Sequence, residues 1–416
     1  MIKKSVLAFV ILSVIASAMN YIIYPLFSRI LGPDEYVNIT VSLSLFTQVS
    51  AFLSSILAIT IGLSKSEDSR RTNEKIELLQ SFLFKLFFTL AVLFLIFSPV
   101  IMSKMHAPIL FALPISLMML LSIPVMVISG YLNGKNQMIK LGFVTVISAG
   151  SQFLIGLSAA LISHDGLMTM LSMTAAQIIT LVIVYAVFSQ DHLPGVSKPL
   201  RAPLRASLDE KMRKLVNYTV FSSVAIMAIS LVQIADLFIL QNLTHVDVKF
   251  YTDIYVVSRV VFFAGMIFIW PFLGEVSLDH HHFNRKPFIK VVGYFTAITL
   301  IAILALYFFG DKLAYGLFGA PYDLHVIREV GILSVLYKFL LLIITAVILY
   351  FVVLRDYMAV WLSFTVSVIV FIFTELTSKD SGITSVLVGL NSIAIVVAII
   401  GILLLLRIPI QTKNHS

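Results

Sequence analysis

Blocks of about twenty or more apolar residues recur along the whole chain and limit what it can fold into. The hydrocarbon core of a bilayer takes up about 20 such residues per helix. Only 12% of the 416 residues are charged, about half the share that soluble proteins carry. Because lipid offers no partner for free backbone N–H and C=O groups, each block is predicted to be a helix. The blocks lack the apolar–polar alternation of membrane β-barrel strands.

The breaks between the blocks define twelve predicted spans, so the fold class expected is an all-α, polytopic membrane protein. The first six spans are Val6–Ile30, Val37–Leu63, Leu78–Ile101, Ile109–Leu132, Ile139–Ile162 and Leu167–Phe188. The last six are Leu215–Leu240, Phe250–Phe272, Phe288–Phe309, Val330–Leu354, Met358–Leu376 and Ile383–Leu406.

The distribution of basic residues predicts the orientation. With both termini cytoplasmic, twenty of the 29 Lys and Arg lie in inner segments and six in outer segments, a strong positive-inside bias. We expect a multi-pass protein of the cytoplasmic (inner) membrane. This bias also accounts for the formal net charge of +8, so the charge does not indicate a nucleic-acid partner. The alternative is a secretory signal, with Lys3-Lys4, an apolar run and Ala16-Ser17-Ala18 as the cleavage site. Cleavage there would remove most of the first span and leave eleven.

A basic segment separates the two sets of six spans. Residues 190–214 contain three Pro, one Gly and six Lys or Arg, a composition typical of a linker. We expect an N-terminal six-helix bundle at 1–190, a basic cytoplasmic linker at 191–214, and a C-terminal six-helix bundle with a short cytoplasmic tail at 215–416. The even number of spans gives both halves the same orientation, and Leu26-Phe27 and Leu237-Phe238 hint at a repeat. Transporters built from two such repeats bind substrate near the midplane, between the halves.

Ionisable residues inside the spans indicate a cavity or a buried partner, because a charge is costly at the bilayer centre. Arg259 lies near the middle of span eight, on one face with Tyr251 and Tyr255. Gln233 and Asp236 belong to a polar stripe on span seven. Two interpretations remain open: an Asp236–Arg259 pair that holds the two spans together, and a cavity-facing pair near the substrate path.

Further polar positions could also line a cavity. Lys338 in span ten is the second candidate for a cationic cavity wall. Polar stripes on spans one and two, which include Asn20 and Gln48, either hold helices together or face a hydrated cavity. Pro25 and Pro271 are predicted to interrupt the hydrogen-bond ladders of spans one and eight and to bend them.

Several kinds of chemistry find no support in the sequence. The chain has no Cys, which excludes thiolate catalysis and zinc–thiolate sites. His280-His281-His282 is interpreted as a solvated loop, because adjacent side chains diverge and cannot converge well on one metal ion. There is no phosphate-binding loop, nucleophile elbow or His-Glu-x-x-His motif. We therefore expect no cofactor and no metal site, and energy from an ion gradient, the membrane potential or downstream consumption.

The segment from Tyr24 to Tyr36, YPLFSRILGPDEY, resembles the polysaccharide-transporter (O-antigen flippase-like) family. That family belongs to a larger superfamily that also holds multidrug exporters and lipid II flippases. The stretch from Arg29 matches the family's Arg-x-Leu-Gly-Pro-Glu-like turn, with Val37 at a position where the family usually has Gly. Looser matches lie further along the chain: Gly130-Tyr131-Leu132-Asn133-Gly134, Asp236 followed by Tyr251 with Phe250 in place of a usual Gly, Pro271 with Glu275, and Leu317-Phe318-Gly319 with Tyr322.

This resemblance implies two six-helix bundles around a V-shaped central cavity that alternates between the membrane faces. It implies a substrate carried on a polyprenyl pyrophosphate and flipped from the inner to the outer leaflet. The cationic wall facing the pyrophosphate would include Arg29, Arg259 and Lys338. The implied partners are the lipid-linked oligosaccharide substrate and membrane lipids, with polysaccharide assembly proteins as further candidates.

Two alternatives stay open. A cation-coupled multidrug exporter of the same superfamily would require acidic residues as the dominant cavity charge, whereas the candidates here are mostly basic. A membrane oligosaccharide polymerase or ligase usually needs a large outer loop for its chemistry. The longest predicted outer loop, Gly310–Glu329, is short for that purpose.

Overall fold

The computed structural model describes residues 4–64, 69–188, 210–243, 247–276, 285–319, 321–353 and 356–407, and in these ranges every regular element is a helix. The helices of the first half are α1 (Lys4–Ile30), α2 (Pro33–Ser64), α3 (Ser69–Lys104), α4 (Ala112–Gly134), α5 (Met138–Ser163) and α6 (Gly166–Val187), with a 3₁₀ turn at Ile109–Phe111 before α4. The second half contains α7 (Glu210–Val232), α8 (Ala235–Gln241), α9 (Val248–Val276), α10 (Arg285–Phe318), α11 (Leu324–Val353), α12 (Met358–Leu376) and α13 (Ile383–Leu406).

The helices confirm the predicted all-α membrane fold. In the described part of the chain, nine helices are long and apolar enough to cross a membrane, and the bent pair Phe221–Val232 and Ala235–Gln241 makes a tenth. The other two predicted spans lie within α2 and α9. Spans eleven and twelve coincide with α12 and α13 residue for residue, because charged and turn-forming residues flank both blocks.

The predicted length of the outer loop, Gly310–Glu329, is wrong. Helix α10 continues to Phe318 and α11 begins at Leu324, so only residues 319–323 separate them. Helix α10 has 34 residues and is about 51 Å long, well beyond the roughly 30 Å of a bilayer core. Its last turns thus extend past the apolar block, because polar residues such as Asp311 and Lys312 end a lipid-facing surface without ending a helix.

Neither of the two prolines ends its helix, and the bends predicted there stay predictions. Helices α1 and α9 run without a break through Pro25 and Pro271. A break occurs in span seven, between α7 and α8, where the direction of the helix changes by 42°. The sequence there is Val232-Gln233-Ile234-Ala235, which contains neither Pro nor Gly.

The turn that carries the family resemblance joins α1 to α2. Pro33 begins α2, a position where its fixed φ suits the helix and its missing N–H costs nothing. Asp34 and Glu35 follow in the first turn, where carboxylates are favoured by the helix dipole. Oε2 of Glu35 also accepts the backbone N–H of Gly166 at 2.9 Å, which ties α2 to the start of α6.

The chain divides into two compact units, Met1–Ser223 and Val224–Ser416. The border falls inside α7, nine residues after the predicted start of the second bundle at 215. Most of the predicted linker at 191–214 lies outside the described residues.

Each unit is built around its own fourth span. In the first unit α4 packs against α2, α3, α5 and α6, and in the second unit α11 packs against α9, α10, α12 and α13. These are the two most buried of the nine spans. In the most apolar stretch of each, 67% of the fourth span and 72% of α11 is buried. The same packing scheme in both units supports the internal repeat at which the sequence only hints.

Candidate functional site

The break in span seven is the starting point of the site. At the break, the N–H groups of Gln233 and Ile234 donate to the carbonyls of Ser230 and Leu231, three residues earlier, at 3.0 and 3.2 Å. Such a tightened last turn is common at helix ends. It leaves the last carbonyls of α7 without donors from their own helix.

Helix α11 supplies those donors from two adjacent residues. The hydroxyl of Tyr337 donates to the carbonyl of Val232 at 2.8 Å. Nζ of Lys338 donates to the carbonyl of Gln233 at 2.6 Å. A cation is also favoured at the C-terminal end of a helix such as α7, because the helix dipole is negative there. The break is thus closed by side chains of another helix.

The same lysine forms an ion pair with Asp236, in the first turn of α8. Nζ of Lys338 lies 2.9 Å from Oδ1 and 2.8 Å from Oδ2 of Asp236. The side chains are 1% and 0% exposed. The hydroxyl of Tyr251 on α9 donates to Oδ2 of Asp236 at 2.9 Å. The carboxylate is therefore satisfied from two neighbouring helices, as a buried charge requires.

This arrangement corrects the pairing expected from the sequence, which joined Asp236 to Arg259. The buried ion pair joins Asp236 to Lys338. Helix α11 begins at Leu324, so Lys338 is 14 residues, or about 21 Å, from its start. That depth brings its ammonium to the level of the break, and the central position of α11 places it against span seven.

Arg259 and Lys338 both lie close to the ring of Tyr255. The Tyr255 ring centroid is 5.8 Å from Cζ of Arg259 and 4.8 Å from Nζ of Lys338, so one ring contacts both cations. The guanidinium also lies 5.0 Å from the centroid of Phe263, and Arg259 is only 6% exposed. We call Asp236, Tyr255, Arg259 and Lys338 the cationic cluster. It contains two cations and one carboxylate.

Sequence reasoning missed two contributors to this region. Tyr337 was not singled out, although its position next to Lys338 was a usable signal. Ser334, one turn before Lys338, donates to the hydroxyl of Ser258 on α9 at 2.9 Å and so links α11 to α9. Gln233, selected for its amide, contributes its backbone carbonyl.

The remaining sequence candidates belong to the first unit. Arg29 lies in the last turn of α1 and is exposed, as is Asn20 on the same helix. Gln48 on α2 is buried, and only 2% of the residue is exposed. Asn20 and Arg29 are nine residues, or about 14 Å, apart along α1.

The histidine run at 280–282 lies outside the described residues. Among the residues that are described, no three His, Asp or Glu side chains converge on a point where they could hold a metal ion.

A second polar contact lies near the start of α9. The hydroxyl of Tyr322, in the short segment between α10 and α11, donates to Oδ2 of Asp253 at 2.7 Å. Lys249 donates to the same oxygen at 3.3 Å, and the Tyr322 ring packs edge-on against Phe250 with 4.9 Å between centroids. Burial raises the pKa of the Tyr322 phenol above its ordinary value of 10.0, and the hydrogen bond to Asp253 raises it further.

Comparison with known proteins places the fold. No protein-family model matches the sequence, and no curated protein matches it. An inward-facing multidrug resistance MATE family transporter of the MOP superfamily aligns over 100% of both chains, with a TM-score of 0.66 and 14% identity. The lipid II flippase MurJ, in an inward closed conformation, aligns over 96% of this chain and 88% of its own, with a TM-score of 0.69 and 12% identity.

A MOP superfamily transporter from Pyrococcus furiosus, described as having a binding pocket of reversed polarity, aligns with a TM-score of 0.61 and 16% identity over 97% of this chain and 95% of its own. These similarities show that the chain has the twelve-helix, two-lobe fold of MOP superfamily transporters.

Proposed function

We propose that the chain is a flippase that translocates a polyprenyl-pyrophosphate-linked oligosaccharide across the cytoplasmic membrane for surface polysaccharide biosynthesis, by alternating access between its two bundles. Both termini would be cytoplasmic. The fold is consistent with this proposal because the MOP superfamily structures that it resembles include a lipid II flippase. The turn from Arg29 to Tyr36 favours the O-antigen flippase-like family within that superfamily.

The observation that carries the proposal is that one buried ring, that of Tyr255, contacts two buried cations, Arg259 on α9 and Lys338 on α11. Ionisable residues buried inside membrane spans often mark a substrate path. An anionic diphosphate suits a cationic site, and the planar guanidinium of Arg259 matches phosphate oxygens in geometry as well as in charge.

The test is the substitution Arg259→Ala in a strain that lacks its own flippase. We expect the wild-type chain to restore surface polysaccharide and Arg259→Ala to fail, with the variant still present in the membrane fraction. Arg259→Lys retains the charge without the fork and should restore part of the polysaccharide. Arg328→Ala is the matched control, because the half-buried Arg328 lies outside the cationic cluster and donates to the carbonyl of Tyr307. Normal polysaccharide in Arg259→Ala would refute the role.

A cation-coupled multidrug exporter is the second candidate. It is favoured by the MATE transporters among the similar structures and by the buried carboxylate of Asp236. The two functions differ in what Arg259→Ala should do. In an exporter this variant would lower drug resistance in an efflux-deficient strain and leave surface polysaccharide unchanged. A membrane polymerase is not supported by the helix boundaries, because only residues 319–323 separate α10 from α11, where a long outer loop would be needed.

A further inference from the structure

The surroundings of the Lys338 ammonium have the composition of a cation site. Its three N–H donors face three oxygens: the carbonyl of Gln233 at 2.6 Å and both carboxylate oxygens of Asp236 at 2.9 and 2.8 Å. Two aromatic faces complete the shell, with the centroids of Tyr255 and Tyr337 at 4.8 and 5.1 Å from Nζ. Carbonyl and carboxylate oxygens are the ligands that hard metal cations prefer, and aromatic faces attract cations of any kind.

The carboxylate and the helix end at this site have hydrogen-bond donors besides the lysine. The carboxylate of Asp236 accepts a hydrogen bond from Tyr251, and the neighbouring carbonyl of Val232 accepts one from Tyr337. The Gln233 carbonyl is directed out of the helix because the ladder breaks at that point. Removing the ammonium would therefore leave a formed oxygen cage containing one uncompensated negative charge, a strongly unfavourable arrangement in the interior.

We propose that Lys338 is a tethered cation that occupies a monovalent-cation site at the break of span seven. Because the ammonium fills the site, no external Na⁺ binds at Asp236. A variant with a short side chain at position 338 binds Na⁺ there. The inference rests on contacts within one unit and does not depend on the identity of the transported substrate. It implies that a coupling ion, if the protein uses one, does not bind at Asp236.

Arg259 is the other cation that could fill the emptied cage. It is one helical turn from Tyr255, and its guanidinium lies over the rings of Tyr255 and Phe263. Leaving these rings would cost it both cation–π contacts. We therefore expect Na⁺ to compete successfully when Lys338 is shortened.

The test uses the purified full-length protein in detergent and follows its thermal unfolding by intrinsic fluorescence. NaCl replaces choline chloride at constant ionic strength. We expect the Tm of the wild type to be the same in both salts. The Tm of Lys338→Ala should rise with NaCl and then saturate, because a ligand that binds only the folded state stabilises it by mass action. The double variant Lys338→Ala/Asp236→Asn lacks the carboxylate and should lose the response.

Three outcomes would overturn the proposal: a Lys338→Ala variant that folds with the same Tm in both salts, a Na⁺ response that survives in the double variant, or a wild-type Na⁺ response that Asp236→Asn removes. If Lys338→Ala is too unstable to purify in choline chloride, the proposal expects its yield to recover in NaCl. Failure to recover counts against it, and a wild-type Na⁺ response that Asp236→Asn removes would still overturn it.

Discussion

The ammonium of Lys338 lies 2.8 Å from Oδ2 of Asp236, a residue 102 positions earlier in the chain, and both side chains are almost completely withdrawn from solvent. The pair lies where span seven breaks, and Nζ of the same lysine also donates a hydrogen bond to the Gln233 carbonyl. One side chain thus compensates a buried charge and closes a helix end.

The destabilising effects of removing the two members of this pair should not add when both are removed. Lys338→Met and Asp236→Asn each leave a buried group without its counter-charge, and we expect each to cost about 3–5 kcal/mol. The double variant should cost clearly less than the sum. Equilibrium unfolding in detergent with choline chloride as the only salt measures all three. Lys249→Met, in the more exposed pair with Asp253, is the control and should cost at most about 1 kcal/mol. Additive single effects would contradict the coupling.

Tyr322 should make a contribution to the free energy of unfolding that is lost at alkaline pH. Its pKa is raised in the folded state, so the unfolded phenol loses its proton first as the pH rises. The contribution is complete below the ordinary value of 10.0 and declines above it. Tyr322→Phe should therefore reduce the loss of Tm between neutral pH and pH values above about 10. Ultraviolet difference spectra of wild type against Tyr322→Phe should show no phenolate from this residue at pH 10; a normal titration would contradict the raised pKa.

The close approach of α9 and α11 depends on Gly265. A Cβ atom at this position would lie 2.5 Å from Cδ1 and 2.8 Å from Cδ2 of Leu342. We expect Gly265→Ala to lower the Tm despite the better helix propensity of Ala, because overpacking typically costs about 1–3 kcal/mol. Adding Leu342→Ala should recover part of this loss.

Gly293 on α10 provides the matched control for this packing argument. A Cβ atom there meets nothing within 4 Å, so Gly293→Ala should stabilise the helix by about 0.5–1 kcal/mol. If both alanines raised the Tm, the contact between α9 and α11 at Gly265 would be looser than described.

The sequence determined which segments of the chain are helical. Lengths of apolar blocks and the charged or turn-forming residues between them are local properties, and they located α12 and α13 to the residue. The cost of a charge in lipid also selected Asp236, Arg259 and Lys338 as the residues to examine. What the pattern could not give was the end of α10, because a helix can continue after its lipid-facing surface has ended.

The tertiary structure alone decided which charges pair and where span seven breaks. The break contains no Pro or Gly, and its free carbonyls are bonded by Tyr337 and Lys338, which lie 105 residues later. Local preference would continue the helix through Gln233. At that depth α11, at the centre of its unit, brings two donors to the open carbonyls, so that the end of α7 has hydrogen-bond partners. A contact between residues so distant in sequence leaves no trace in the spacing of either helix.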